Sequence, residues 1–155
     1  MPLALVPLSA ERFPGWLERS RAGYEADLLR AGGDREAARQ QASTVLGHAF
    51  PTGGPTEGND VFDLVIDGDT TVGYLWVGPD SSANSSSWWV WDIMVDPQHR
   101  GRGHGRAAMK LAEDHARANG ASTLGLNVFG FNDVARSLYE SVGYETTSVK
   151  MRKEL

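Results

Sequence analysis

The stretch from Trp88 to Arg106 holds the densest chemistry in the chain. An apolar run, Trp88–Val95, is broken only by Asp92 and leads into Gln98-His99-Arg100-Gly101-Arg102-Gly103-His104-Gly105-Arg106, after which a helical pattern begins. A strand that passes through a glycine-rich turn into a helix aims free backbone N–H groups outward, and the helix dipole adds partial positive charge at the same point. Glycines are needed there because a Cβ would block phosphate oxygens from the backbone. Arg100, Arg102 and Arg106, with His104, add donors for charge-assisted bonds. A pyrophosphate suits this pattern. The plainer reading, a basic turn with no ligand, sits poorly with three glycines at alternate positions between a strand and a helix. A P-loop is excluded because no Gly-Lys-Ser/Thr follows. Gly103-His104-Gly105-Arg106-Ala107-Ala108 does fit the G-x-G-x-x-A of dinucleotide-binding folds. That turn, however, lies several residues beyond the strand, and Thr123–Val128 carries no acid for a ribose.

Composition narrows the field further. The 155 residues suffice for one domain with a single core. Hydrophobic residues make up 41% and charged residues 23%, ordinary values for a globular chain. The net charge of −5 argues against a general nucleic-acid binder and makes the basic turn a local feature. With no cysteine, disulfides, thiol nucleophiles and Cys-based zinc sites are out, and no His/Asp/Glu cluster has metal-ligand spacing. No apolar run approaches the roughly 20 residues of a membrane span, and Met1 to Pro7 lacks a basic secretory n-region. A cytoplasmic protein without a membrane partner is the expectation.

The elements that must position this turn follow from periodicity. Leu3 to Val6 predicts a short strand. Ser9 or Phe13-Pro14 opens a helix to about Ala31, with Trp16, Leu17, Tyr24 and Leu28 at helical spacing. Gly32-Gly33 stops it, and Asp34 caps a second helix from Arg35 to about His48. Pro51 to Asn59 reads as a loop. Val61–Ile66 and Thr71–Val77 form a hairpin around Asp67-Gly68-Asp69, and Trp88–Val95 is a central strand. Next come a helix from about Gly103 to Asn119, a strand over Thr123–Val128 and a helix over Asp133–Val142. Tyr144 to about Lys153 is β-like. The order predicts one α/β domain, residues 1–155, around a sheet of mixed direction with about four helices.

Two motifs at a characteristic separation carry a family resemblance. Gln98-x-x-Gly101-x-Gly103, preceded by Asp92-Ile93-Met94-Val95-Asp96-Pro97, resembles the acetyl-CoA pyrophosphate motif of GNAT N-acetyltransferases. Asn132-Asp133-Val134-Ala135-Arg136-Ser137-Leu138-Tyr139-Glu140-Ser141-Val142-Gly143-Tyr144 is similar to the family's second motif. The resemblance covers residues 61–155 well, as an acetyl-CoA-binding core, and residues 1–60 loosely, as a variable acceptor side.

The resemblance implies a splayed central strand pair whose gap holds the pantetheine arm as a pseudo-strand. Ile93, Met94 and Val95 would supply backbone groups to that arm, and one of their N–H groups would polarise the thioester carbonyl. Arg100, Gly101, Arg102, Gly103, His104, Gly105 and Arg106 would hold the pyrophosphate. Asn132 and Ala135 would contact the pantetheine. Tyr139 matches the tyrosine that protonates the departing thiolate, and its plainer reading is a core tyrosine on the sheet. Many members carry Glu where this chain has Trp91. That leaves Asp92, the one ionisable group of the strand, as base, as substrate clamp or as a hydrogen-bonded structural carboxylate.

The implied reaction is transfer of an acetyl group from acetyl-CoA to a primary amine of a small molecule or peptide, with no metal. A non-catalytic acyl-CoA-binding module is the alternative. Glu57, Asp60, Asp63 and Asp92 favour a cationic acceptor. The family's last two strands usually form a hairpin, but Glu145–Leu155 has no Gly, Pro, Asn or Asp to turn on. One long edge strand is therefore expected, and with it a homodimer that covers the edge.

Overall fold

The computed structural model describes residues 2–155. Five strands form one sheet in the order β1 (Leu3–Pro7), β2 (Asp60–Ile66), β3 (Thr70–Pro79), β4 (Ser87–Val95), β5 (Thr123–Leu126). The first three junctions are antiparallel, and β4 runs parallel to β5. Four helices accompany it among the described residues: α1 (Phe13–Arg30), α2 (Arg35–Ala49), α3 (His104–Ala118) and α4 (Asp133–Ser141). This is the mixed α/β architecture that the alternation of periods predicts.

Two cores sandwich the sheet. On one face α3 lays Ala108, Met109, Ala112 and Ala116 against Leu64, Val72, Leu75, Val77, Trp88 and Val90. Small residues on α3 let its backbone sit close to the branched side chains of the strands. On the other face an aromatic cluster fixes α1 and α2. Trp16 meets Phe50 (5.5 Å), Tyr74 (5.9 Å) and Trp76 (5.8 Å) edge-on, an arrangement the ring quadrupoles favour. Asp34 caps α2 by accepting from the Ala37 amide at 3.1 Å, and Pro14 occupies the first turn of α1.

The expected strand over Tyr144 to about Lys153 is absent. Residues 144–155 join no ladder, and every residue from Glu145 to Leu155 is exposed. The β-branched content of that segment is a preference for a pleated, half-buried surface, and an isolated extended segment has no neighbour to supply one. Among the described residues the sheet instead ends at β5, which pairs with β4 alone.

Candidate active site

β4 carries two irregularities that make the site. Against β3, Trp76 pairs with Asp92 while Val77 pairs with Val90, so Trp91 is an extra residue and β4 bulges there. The bulge resets the alternation of side chains. Trp88 and Val90 point to the α3 face, and Ile93 and Val95 pack on that same side. Trp91 and Asp92 both turn to the α1 face instead: Trp91 stacks on Trp76 at 5.8 Å, and Asp92 meets Ser20 and Tyr74. Without the extra residue, Asp92 would face α3.

Against β5, pairing stops early. Ser87 to Val90 match Thr123 to Leu126, and among the described residues Trp91 to Val95 continue with no strand partner on that side. The strands thus part where β4 bulges, as the resemblance implies. A groove of about 630 Å³ opens beside the unpaired half of β4. Ile93 and Val95 line one wall, the turn from His99 to Arg106 closes one end, and Asn132, Ala135, Leu138 and Tyr139 of the α4 segment form the other wall.

The turn is shaped to receive an anion. Gly101 (φ 77°) and Gly103 (φ 83°) are left-handed, and a Cβ built on either meets nothing within 4 Å, so their backbone borders open space. Gly103 is also the N-cap of α3, where unpaired N–H groups collect. His104 is buried and its Nε2 has no partner; His99 Nδ1 is likewise buried and unpaired among the described residues. Buried polar atoms without partners are rare, and these two lie on the lining of the groove. The residues present therefore fit a pyrophosphate.

The remaining expected contacts divide. Arg106 lines the groove and donates to Ser141 Oγ at 3.0 Å, which ties the start of α3 to the end of α4. Arg100 also lines it, but its Nε donates to the Val95 carbonyl at 2.8 Å and so braces the end of β4. Gly105 lines it as well, packed close to Leu138. Arg102 is exposed and stands outside the lining residues. Met94 turns its side chain to the opposite face, packs on the aromatic cluster and accepts from Arg19 at 3.3 Å, so only its backbone can face the gap. Asn132 Oδ1 caps α4 through the Ala135 amide at 3.3 Å, which leaves its NH₂ free.

Tyr139 lines the groove, and its hydroxyl has no hydrogen-bond partner among the described residues. Burial raises its pKa, and the Asp92 carboxylate adds to the rise, so the phenol stays protonated at neutral pH. Asp92 accepts through Oδ2 from Ser20 Oγ at 2.6 Å and from Tyr74 Oη at 2.9 Å. Loss of hydration pushes the Asp92 pKa up, the bonds from Ser20 and Tyr74 pull it back, and the nearby charge of Asp27 raises it again. Ser20 and Tyr74 are each only 2% exposed. Sequence reasoning missed both. A hint existed: Ser20 falls one turn after Trp16 and one before Tyr24, on the face of α1 that is otherwise aromatic. Arg19, beside it, pairs with Asp96 at 2.5 Å and lies over the Tyr74 ring at 5.2 Å.

Comparisons with known proteins identify the fold and the family. The model of the acetyltransferase (GNAT) family matches residues 34–144. The uncharacterized N-acetyltransferase YycN of Bacillus subtilis is 28% identical over the full length of both chains. Its crystal structure superposes with a TM-score of 0.90, covering 99% of this chain and 98% of that one. The streptothricin acetyltransferase of Streptomyces lavendulae is 36% identical over 78% of this chain and 67% of its own. The chain belongs to the GNAT family of acetyltransferases.

Proposed function

We propose that the protein transfers an acetyl group from acetyl-CoA to a primary amine of a small molecule or peptide by direct attack. The observation that carries this reading is the splay of β4 from β5, with the open glycine turn at one end and the free Tyr139 hydroxyl on its wall. A groove of that form suits a long thiol ester whose anionic end is held by backbone N–H groups.

Acetyl-CoA supplies an acyl carbon already activated as a thioester. Gly101, Gly103, His104 and Arg106 hold the pyrophosphate, and the backbone of Ile93 to Val95, apart from the Val95 carbonyl that Arg100 holds, receives the pantetheine arm and polarises the acyl oxygen. The acceptor enters from the α1–α2 side. Asp92 takes the proton that the amine loses as its nitrogen bonds to the acyl carbon, directly or through a water. Tyr139 gives its proton to the sulfur as the C–S bond breaks. The Asp92 oxygen that takes the proton is Oδ1, because Ser20 and Tyr74 both bind Oδ2.

Calorimetry with acetyl-CoA, followed by CoA release across primary amines, peptide N-termini and matching alcohols, tests the proposal. Binding together with amine-dependent release is expected. No binding, or release indifferent to the amine, would overturn it.

A further inference from the structure

The side of α1 that reaches Asp92 through Ser20 carries a gap in its row of side chains. Gly23, three residues after Ser20, is half-buried in the middle of the helix, and a Cβ built on it meets nothing within 4 Å. Glycine inside a helix weakens it relative to alanine. Gly23 has no left-handed φ to require it, and no other backbone approaches it. What the missing side chain leaves is room, a short lane along α1 that starts beside the Ser20–Asp92 bond.

Asp27 stands at the far end of that lane. It follows Ser20 by two helical turns, so the two share a face and lie on the order of 10 Å apart along α1. Its negative charge is felt at both Asp92 and Tyr74, which places it on the cleft side of the helix. Loss of hydration raises its pKa, and the charge of Arg30 pulls it back. Arg30, one turn on, is the natural ion-pair partner, yet it lies over the Phe131 ring at 4.2 Å, and Phe131 stacks on Phe129 at 5.5 Å. Arg19 is held by Asp96 and the Tyr74 ring. Among the described residues the Asp27 carboxylate is left with no ion-pair or hydrogen-bond partner, beside a site that must receive an amine.

We infer, on the acetyl-transfer reading above, that the acceptor is a linear diamine: one nitrogen meets the thioester beside Asp92, the methylene chain lies over Gly23, and the second nitrogen pairs with Asp27. The attacking nitrogen must be neutral, so the cation that Asp27 holds is the other one. Only the nitrogen beside Asp92 is acylated, and the product is a monoacetyl diamine that keeps one positive charge. A monoamine of the same length fills the lane but leaves Asp27 partly dehydrated and unpaired. Arg30 bounds the lane beyond Asp27 and competes for its carboxylate.

Acetyl transfer to unbranched α,ω-diaminoalkanes from propane to octane, each against the alkylamine of equal length, tests this. At the longer lengths kcat/KM should favour the diamine by at least about tenfold, the worth of a bond to a charged group, and at propane, too short to span the lane, by little. Asp27→Asn should bring that ratio close to one, and Asp27→Glu should keep it. Both amines use the same base, so any change in Asp92 on losing its negative neighbour cancels in the ratio. Arg30→Ala, which removes the competing cation, should raise it. Gly23→Leu puts a good helix former in the lane, so it should fold at least as well as wild type and still bind acetyl-CoA, while kcat/KM for the long diamines falls at least about tenfold. Equal kcat/KM for diamines and monoamines in the wild type would overturn the inference and leave acetyl transfer intact. So would a diamine preference that survives Asp27→Asn, or a Gly23→Leu enzyme that takes long diamines as well as wild type does. No turnover with any member of either series would overturn the acetyl-transfer reading and the diamine with it.

Discussion

The hydroxyl of Ser20 donates to Asp92 Oδ2 at 2.6 Å, which links the face of α1 to the bulge of β4. Trp16, one turn earlier, is locked among Phe50, Tyr74 and Trp76, so the position of Ser20 is fixed by aromatic packing. Tyr74 Oη reaches the same carboxylate oxygen at 2.9 Å. A carboxylate held through one oxygen by two buried hydroxyls keeps the other oxygen in a defined direction. α1 and β3 thus orient the group proposed to take the proton of the acceptor.

Removing one of those hydroxyls should show in the pH dependence. A bond from Ser20 stabilises the charged form of Asp92, so Ser20→Ala should raise the Asp92 pKa. The acid limb of the kcat/KM profile should then move to higher pH, by roughly one unit for a bond to a charged group. Ser20→Thr, which keeps the hydroxyl, should restore the limb. A profile that does not move in Ser20→Ala would separate Ser20 from the base.

Asp92 itself should cost stability at neutral pH. Its folded pKa lies above the unfolded value, so between the two the native state binds more protons and stability falls as pH rises. Asp92→Asn keeps the shape and removes the charge. Its melting temperature should therefore exceed wild type at pH 7, by roughly 2–4 °C for each kcal/mol relieved. The gain should vanish as pH falls below the unfolded pKa. The same variant should lose the acid limb of the rate profile. Equal melting temperatures across the whole range would contradict the desolvated carboxylate.

The glycine turn makes a prediction about binding. Gly103 has φ 83°, and its missing Cβ borders open space. Asn tolerates the left-handed region far better than a branched residue. Gly103→Asn should therefore fold near normally while its side chain occupies the space proposed for the pyrophosphate, and acetyl-CoA affinity should fall at least about tenfold. His104→Ala should weaken binding in the same assay by more than its loss of melting temperature accounts for, since the buried Nε2 has no partner among the described residues. Wild-type affinity in both would move the anion site elsewhere.

Much of this was legible in the sequence because it rests on local rules. The glycine spacing at 101, 103 and 105 marked the turn, and the Asn132–Tyr144 motif placed Tyr139 on the groove wall. What the sequence hid was relational. Nothing in Trp91 or Asp92 shows that one of them is an extra residue, yet that bulge decides which face Asp92 joins. Ser20 and Tyr74 lie 72 and 18 residues from Asp92 and meet it only through packing. Arg102 belongs to the basic run by composition, but it stands outside the groove lining. The segment from Glu145 to Leu155 reads as a strand from its own preferences, and a strand also needs a partner, which no single-chain pattern records.

The division of labour between Asp92 and Tyr139 is the centre of the proposed mechanism, and single-turnover acetyl transfer by Tyr139→Phe tests it most directly. The variant keeps the ring that packs beside Tyr144 and removes only the free hydroxyl. Acetyl-CoA affinity should stay within about twofold of wild type, while the chemical step slows by about 10²-fold, the usual size of general acid catalysis. A chemical step at the wild-type rate would make Tyr139 a structural residue and contradict the mechanism.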